Sequence, residues 1–302
     1  MNVFIKPFYR ENTGFVKAFD NAVPNEFFLK EVAFWMGMGY IKYRNKKMQE
    51  VSPVDHSSYI RIVPGAKCAV LMIHGIVCTP RHFDYLLPSI PEDWSICNIL
   101  LDGHGGTVRD FSNTSMEQWQ KQVNAWLEKL CATHENVLVL GYSLGTLLTL
   151  SNYEKYPQVK GLLLMQPPLV TWVKLRMWIQ STFFTFHRVR LDDPMELALY
   201  YDISVKLKPG PFWYIGWIPR FYELLVLSRK CRPIAQRISI PTVAFLSKKD
   251  ELVSLRSAKY LQNNPNVRLY FLEKGGHSYY PPEDVAQMHR SLQELVELCK
   301  SE

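Results

Sequence analysis

A chain of 302 residues, 47% hydrophobic and 21% charged, has ample material for a core and is too apolar for a disordered polypeptide. Six cysteines without C-x-x-C spacing exclude a finger-type metal site and a disulfide framework, so a reducing, cytosolic setting is expected. The formal charge of +7 is uneven: between Gln166 and Ile240 eleven basic residues stand against five acidic ones, which suits an anionic substrate, an anionic lipid surface or solubility alone.

The first 23 residues carry Lys6, Arg10, Glu11, Lys17 and Asp20 and no unbroken apolar run, so no secretory signal is expected, and nothing later is read as a membrane span. Asn25 to Tyr43 is apolar and aromatic and reads as a helix ending near Gly37 and Gly39. From Tyr59 the pattern alternates between strand and helix. Tyr59–Val63 and Cys68–Ile73 are β-rich, and the second is continuously apolar, as a strand covered on both faces should be. Thr79 and Pro80 open a helix through Phe83 and Leu87. Ile96–Leu101 is a strand, and Ser115 with Gln118 predicts a capping box before a helix spaced by Trp119, Val123, Leu127 and Leu130. Val137–Leu140 is a strand, Leu144–Tyr156 a helix and Gly161–Met165 the next strand. Pro241–Ser247 and Val267–Leu272 are later strands, followed by helices over Ser254–Asn263 and Glu283–Lys300. Alternation of this kind predicts a parallel sheet with right-handed crossovers. Gln166 to Ile240 breaks the rhythm with many aromatics, several prolines and no clear strand. It is read as a helical cap above the edge of the sheet where ligands bind.

The chemistry centres on Gly141-Tyr142-Ser143-Leu144-Gly145, a G-x-S-x-G pattern between strand and helix. Such a turn holds its serine in strained backbone with the hydroxyl above the sheet, and flanking glycines allow close approach of strand and helix. Without a turn of this kind Ser143 would be a mere helix cap. A serine needs a base, the base needs an orienting carboxylate, and the intermediate needs amide donors. His277, on a loop with Gly275 and Gly276 after the last strand, is the candidate base. Asp250, after the preceding strand, is the favoured acid, although Glu251 beside it is an alternative. The amides of Ile76, just after His74-Gly75, and of Leu144 are candidate oxyanion donors. His74 is read as holding that loop and His104 as stabilising a turn.

His-Gly-x-x-x-Thr-Pro from His74, Gly-His-Gly at Gly103–Gly105, Gly-x-Ser-x-Gly, Asp250 and Gly276-His277, in that order, resemble the α/β-hydrolase superfamily, and most nearly its bacterial carboxylesterase and monoacylglycerol lipase type. The resemblance covers about residues 59–300. It departs where Ile76 stands at a position often held by Phe, and residues 1–56 have no counterpart. It implies an α/β-hydrolase fold: a mostly parallel central sheet, helices on both faces and an inserted helical cap. Residues 1–56 are then a largely helical extension, 57–165 and 241–302 the core, and 166–240 the cap.

Taken together these features imply a Ser143–His277–Asp250 hydrolase of acyl esters, with Ile76 and Leu144 as oxyanion donors and no cofactor or metal. The expected partner is a small acyl ester. Peripheral lipid contact through the basic aromatic cap is a further expectation, and nucleic acid is not a partner. A thioesterase, acyltransferase, amidase or carbon–carbon-bond hydrolase with the same triad, and a silent binding protein on this fold, are the other readings.

Overall fold

The computed structural model describes residues 48–50, 56–171, 184, 188–190 and 192–301; the helix expected over 25–43 lies outside them. A seven-stranded sheet organises the described residues, built from β2 (Tyr59–Arg61), β3 (Cys68–Ile73), β4 (Ser95–Ile99), β5 (Asn136–Tyr142), β6 (Val159–Met165), β8 (Thr242–Ser247) and β9 (Val267–Leu272), in the spatial order β2-β4-β3-β5-β6-β8-β9. Only β2 runs antiparallel, at the edge beside β4. All residues of β3, β4, β5 and β8 are buried, which is why these strands read as continuous apolar runs.

The two faces are legible in the period of two. From β3, Ala69, Leu71 and Ile73 join one core cluster, while Cys68, Val70 and Met72 join the other. The first cluster is closed by α1 (Val108–Asn113), α2 (Met116–Cys131) and α3 (Leu144–Leu150), through Phe111, Trp119, Leu127 and Leu147. The second is closed by the C-terminal helix, through Met288, Leu292, Leu295 and Cys299. Each such side chain contributes about 1.5–3 kcal/mol when fully buried.

Several local expectations change in the folded chain. The helix expected from Pro80 is two short 3-10 pieces, Pro80–Phe83 and Leu87–Ser89, with Pro88 in the first turn of the second. The stretch after Ser254 is likewise 3-10, Leu255–Tyr260, and α3 stops at Leu150, followed by a 3-10 turn at Tyr153–Lys155. Ser115 accepts from the Gln118 amide without the reciprocal bond; the complete capping box lies at Thr107 and Asp110. A two-stranded antiparallel pair, β1 (Met48–Glu50) with β7 (Arg188–Arg190), was not expected within either flanking segment.

Between β6 and β8 the described chain includes α4 (Pro194–Asp202) and α5 (Ile218–Gln236). This segment is not all cap. Leu224, Leu227, Cys231 and Ala235 of α5 enter the core cluster that holds α3, and the Cys231 thiol reaches the Leu147 carbonyl at 3.4 Å. The crossover between two parallel strands needs a helix on the sheet face, and α5 supplies it. The C-terminal helix, α6 (Pro282–Ser301), starts with Glu283 and Asp284, which suit its positive end. Among the described residues no helix is long and apolar enough to cross a membrane.

Candidate active site

The chain passes from β3 to β4 on one side and returns to β5 on the other, so the order reverses between β3 and β5. Ligands bind at such a switch point, beyond the carboxyl ends of the strands. The loop after β3 and the turn after β5 meet there. Ser143, between β5 and α3, has φ 49° and ψ −116°, strained values for a residue with a side chain. Its amide is anchored to the Met165 carbonyl at 2.9 Å. The turn is possible only because a Cβ on Gly145 would lie 1.9 Å from the Ile73 carbonyl oxygen, and one on Gly141 would lie 2.8 Å from Gly145 backbone.

His277 Nε2 lies 3.1 Å from Ser143 Oγ, across 134 residues of sequence. His277 Nδ1 lies 2.8 Å from Asp250 Oδ2. With Nδ1 donating to the carboxylate, Nε2 is left to accept from the hydroxyl. The other Asp250 oxygen accepts the amides of Leu252 and Val253, each at 2.7 Å, so the carboxylate is fixed before it meets the ring. Glu251 turns away from the ring and takes the His277 amide at 3.0 Å. Burial alone would lower the His277 pKa, but Asp250, with Glu251 and Asp202 behind it, raises it above the ordinary imidazole value. Burial raises the Glu251 carboxyl, only partly offset by that amide. Ser143, Asp250 and His277 are all buried.

The loop carrying Ile76 is held from several sides. A Cβ on Gly75 would stand 3.0 Å from that of Ser143 and 3.1 Å from the Cys78 sulfur, so glycine lets this backbone pass the serine without displacing its neighbours. His74 donates to the Gly75 carbonyl at 2.8 Å and accepts the Leu101 amide at 3.0 Å. Val77, β-branched and at φ 63°, is strained. Its amide is taken by His104 at 3.0 Å and its carbonyl accepts the Ser204 amide at 2.8 Å. Burial keeps both histidines neutral, pulling His104 down to about 4 and His74 well below its ordinary value. Among the described residues the amides of Ile76 and Leu144 donate to no protein acceptor, and both lie beside the serine turn.

Three further residues had no signal in the sequence. Gln166, at φ 51° and fully buried, follows β6 and ties it to β8: its amide donates to the Phe245 carbonyl and its side chain pairs with Ser247, just before Asp250. His82 and Asp202 form a second buried pair, with Nδ1 and Oδ1 3.3 Å apart. All three depend on tertiary contacts between single residues, which no local pattern announces. Over the site, Met195 and Leu199 of α4 line a narrow pocket with Glu251, His277 and Ser278.

Residues 65–280 match the serine aminopeptidase S33 family of hydrolases. This chain belongs to that family. A thermostable monoacylglycerol lipase of Bacillus sp. (strain H-257) is 29% identical over 119 residues, which is 38% of this chain and 46% of that protein. The chain thus matches about half the length of this curated relative. Among solved structures, one of the metagenome-derived lipolytic enzymes LipS and LipT superposes with a TM-score of 0.61 at 16% identity, covering 81% of this chain and 99% of that one. The monoacylglycerol lipase of Paleococcus ferrophilus gives 0.57 at 17%, covering 81% and 100%. At such identities these structures speak for the α/β-hydrolase fold, which the mostly parallel sheet shares.

Proposed function

We propose that this chain is a serine esterase that cleaves small or medium acyl esters, monoacylglycerols among them, through an acyl-enzyme. The continuous series from Asp250 through His277 to Ser143 Oγ, at 2.8 and 3.1 Å, carries the reading. Ser143 Oγ attacks the ester carbonyl while His277 Nε2 takes its proton, and Asp250 keeps the ring in the required tautomer. The amides of Ile76 and Leu144 receive the developing oxyanion; among the described residues neither donates to a protein acceptor, which leaves both available for it. His277 then protonates the departing alcohol and afterwards deprotonates a water that releases the acid.

The second reading keeps this machinery and changes the leaving group to an anionic thiol carrier such as coenzyme A. It is favoured by the charge of residues 203–232, where Lys206, Lys208, Arg220, Arg229, Lys230 and Arg232 stand against Glu223 alone. Turnover of p-nitrophenyl butyrate, a monoacylglycerol and an acyl-CoA under one set of conditions separates the two. The first reading expects the two oxygen esters to be cleaved with the higher kcat/KM; a dominant acyl-CoA activity would replace it by the second.

The same charge suits an anionic lipid surface. Ile215, Ile218, Tyr222 and Leu225 form an exposed apolar stripe at helical spacing, flanked by Phe212, Trp213 and Phe221. The ammonium of Lys208 lies 4.8 Å from the Trp213 ring, and Arg229 prolongs the stripe. Aromatic and basic side chains on one face match an interfacial lipid contact. Vesicles containing phosphatidylglycerol should therefore retain the wild type, and retain Ile218→Asp/Trp213→Ala several-fold less. Equal retention of both proteins, or a wild type that instead dimerises through this face, would contradict the contact.

A further inference from the structure

Asp202 has no part in the steps above, yet it is a carboxylate buried beside the base. Burying a charge costs several kcal/mol unless it is paired, so its surroundings need an account. Asp202 is the last residue of α4, in the segment above the sheet. Its Oδ2 accepts from the Ser278 hydroxyl at 2.8 Å, and its Oδ1 lies 3.3 Å from His82 Nδ1, off the line of a hydrogen bond. His82 stacks on Tyr142 with ring centroids 3.5 Å apart and an interplanar angle of 9°. The Tyr142 hydroxyl lies 3.0 Å from Ser278 Oγ and 3.2 Å from the His277 carbonyl, which also accepts from Tyr280 at 2.9 Å.

The base therefore sits on a packed loop, in which the Gly275 amide donates to Asp284 at 3.0 Å and the Gly276 amide to the Tyr279 carbonyl at 2.8 Å, and is itself held at its own amide, its carbonyl and the adjoining Ser278. From below, Glu251 holds the amide and the two tyrosines hold the carbonyl. From above, Asp202 is the only one of these groups that comes from α4, and it holds the adjoining Ser278. We infer that Asp202 is a positioning residue for His277: through Ser278 it sets the base over Ser143, and it makes that placement depend on α4 being seated. The inference rests on His277 being the base.

Charge supports the geometry. Burial alone would raise the Asp202 carboxyl, but His82, the Ser278 hydroxyl and His277 together bring it below its ordinary value. The groups facing His277 are Asp250 and Glu251 after β8, Tyr142 from β5, Ser143, Tyr280 on its own loop, and Asp202 from α4; those facing Asp202 also include His82 and the Cys78 thiol. A negative Asp202 favours the imidazolium that forms during turnover.

The experiment compares wild type, Asp202→Asn and Ser278→Ala for kcat, KM and the pH profile of kcat/KM with p-nitrophenyl butyrate, and for Tm. Asparagine removes the charge and weakens the hold on Ser278, because a neutral amide oxygen is a poorer acceptor than a carboxylate. Asp202→Asn should lower kcat about tenfold with KM within twofold, and move the acid limb to lower pH. Ser278→Ala should lower kcat by a similar factor without moving that limb; misplacement by about 1 Å costs as much as a hundredfold. A lower Tm with wild-type kcat and acid limb in Asp202→Asn would overturn the inference as a merely structural role. Should that variant not fold, Ser278→Ala decides alone, and an unchanged kcat overturns it. A wild type that neither hydrolyses the ester nor is labelled at Ser143 would fail at the reading of the site itself, which is a different result from an active wild type indifferent to Asp202.

Discussion

Glu251 meets His277 through its backbone amide, at 3.0 Å, and leaves the imidazole to Asp250. Two adjacent carboxylates thus hold the same residue at different points. Asp250→Asn should lower kcat by about 10³ to 10⁴, because the amide favours the wrong tautomer. Glu251→Gln keeps an oxygen for the His277 amide and should cost less than about tenfold. Steady-state kinetics on both variants checks the assignment; the reverse order would move the acid to Glu251.

The pH dependence follows from the same contacts. His277 works as a base only when neutral, and its carboxylate neighbours raise its pKa above the ordinary imidazole value. The acid limb of kcat/KM should therefore lie above that value. For stability the sign is that of a raised group: the His277–Asp250 attraction is present below the unfolded imidazole pKa and is lost as pH rises through the folded one. A kcat/KM profile of the wild type reads the limb directly.

Two other histidines act in the opposite sense. His74 and His104 are buried and neutral, with His104 near 4, so the unfolded chain binds more protons than the native one between that pH and about 6.5. Stability should fall as pH drops through this window, with His104 alone accounting for ~3 kcal/mol by its lower end. Thermal unfolding at stepped pH would show it, and His104→Asn, though less stable at neutral pH, should show a shallower slope.

Packing at the serine turn gives a prediction about the fold. A Cβ on Gly145 meets the Ile73 carbonyl oxygen at 1.9 Å, and its other close neighbours are backbone too. Neither β3 nor α3 can yield without moving the serine, so Gly145→Ala should cost at least ~3 kcal/mol, or ~6 °C or more in Tm. Calorimetry on the purified variant checks it.

Much of this was legible in the sequence, for a physical reason. A strand covered on both faces needs a continuous apolar run, so Cys68–Ile73 has the bounds expected of it; Val267–Leu272 also keeps its bounds, though it lies at the sheet edge with Arg268 and Phe271 exposed. Ser143, Asp250 and His277 each follow a strand, in an order that brings them to one edge of a parallel sheet, and they meet there. The capping box expected at Ser115 was a weaker signal, since its second half needs a side-chain rotamer as well as a residue type. Arg188–Arg190 pairs with Met48–Glu50 across well over a hundred residues of sequence, a pairing that no local pattern announces. His82, Asp202 and Gln166 were invisible because each matters only for the distant residue it touches.

The central claim is that Ser143 is an activated nucleophile. A fluorophosphonate probe followed by peptide mass spectrometry tests it most directly. Covalent modification of Ser143 in the wild type, absent in Ser143→Ala and strongly slowed in His277→Ala, is the predicted result. No modification of the wild type, or modification at another serine that persists in Ser143→Ala, would contradict it.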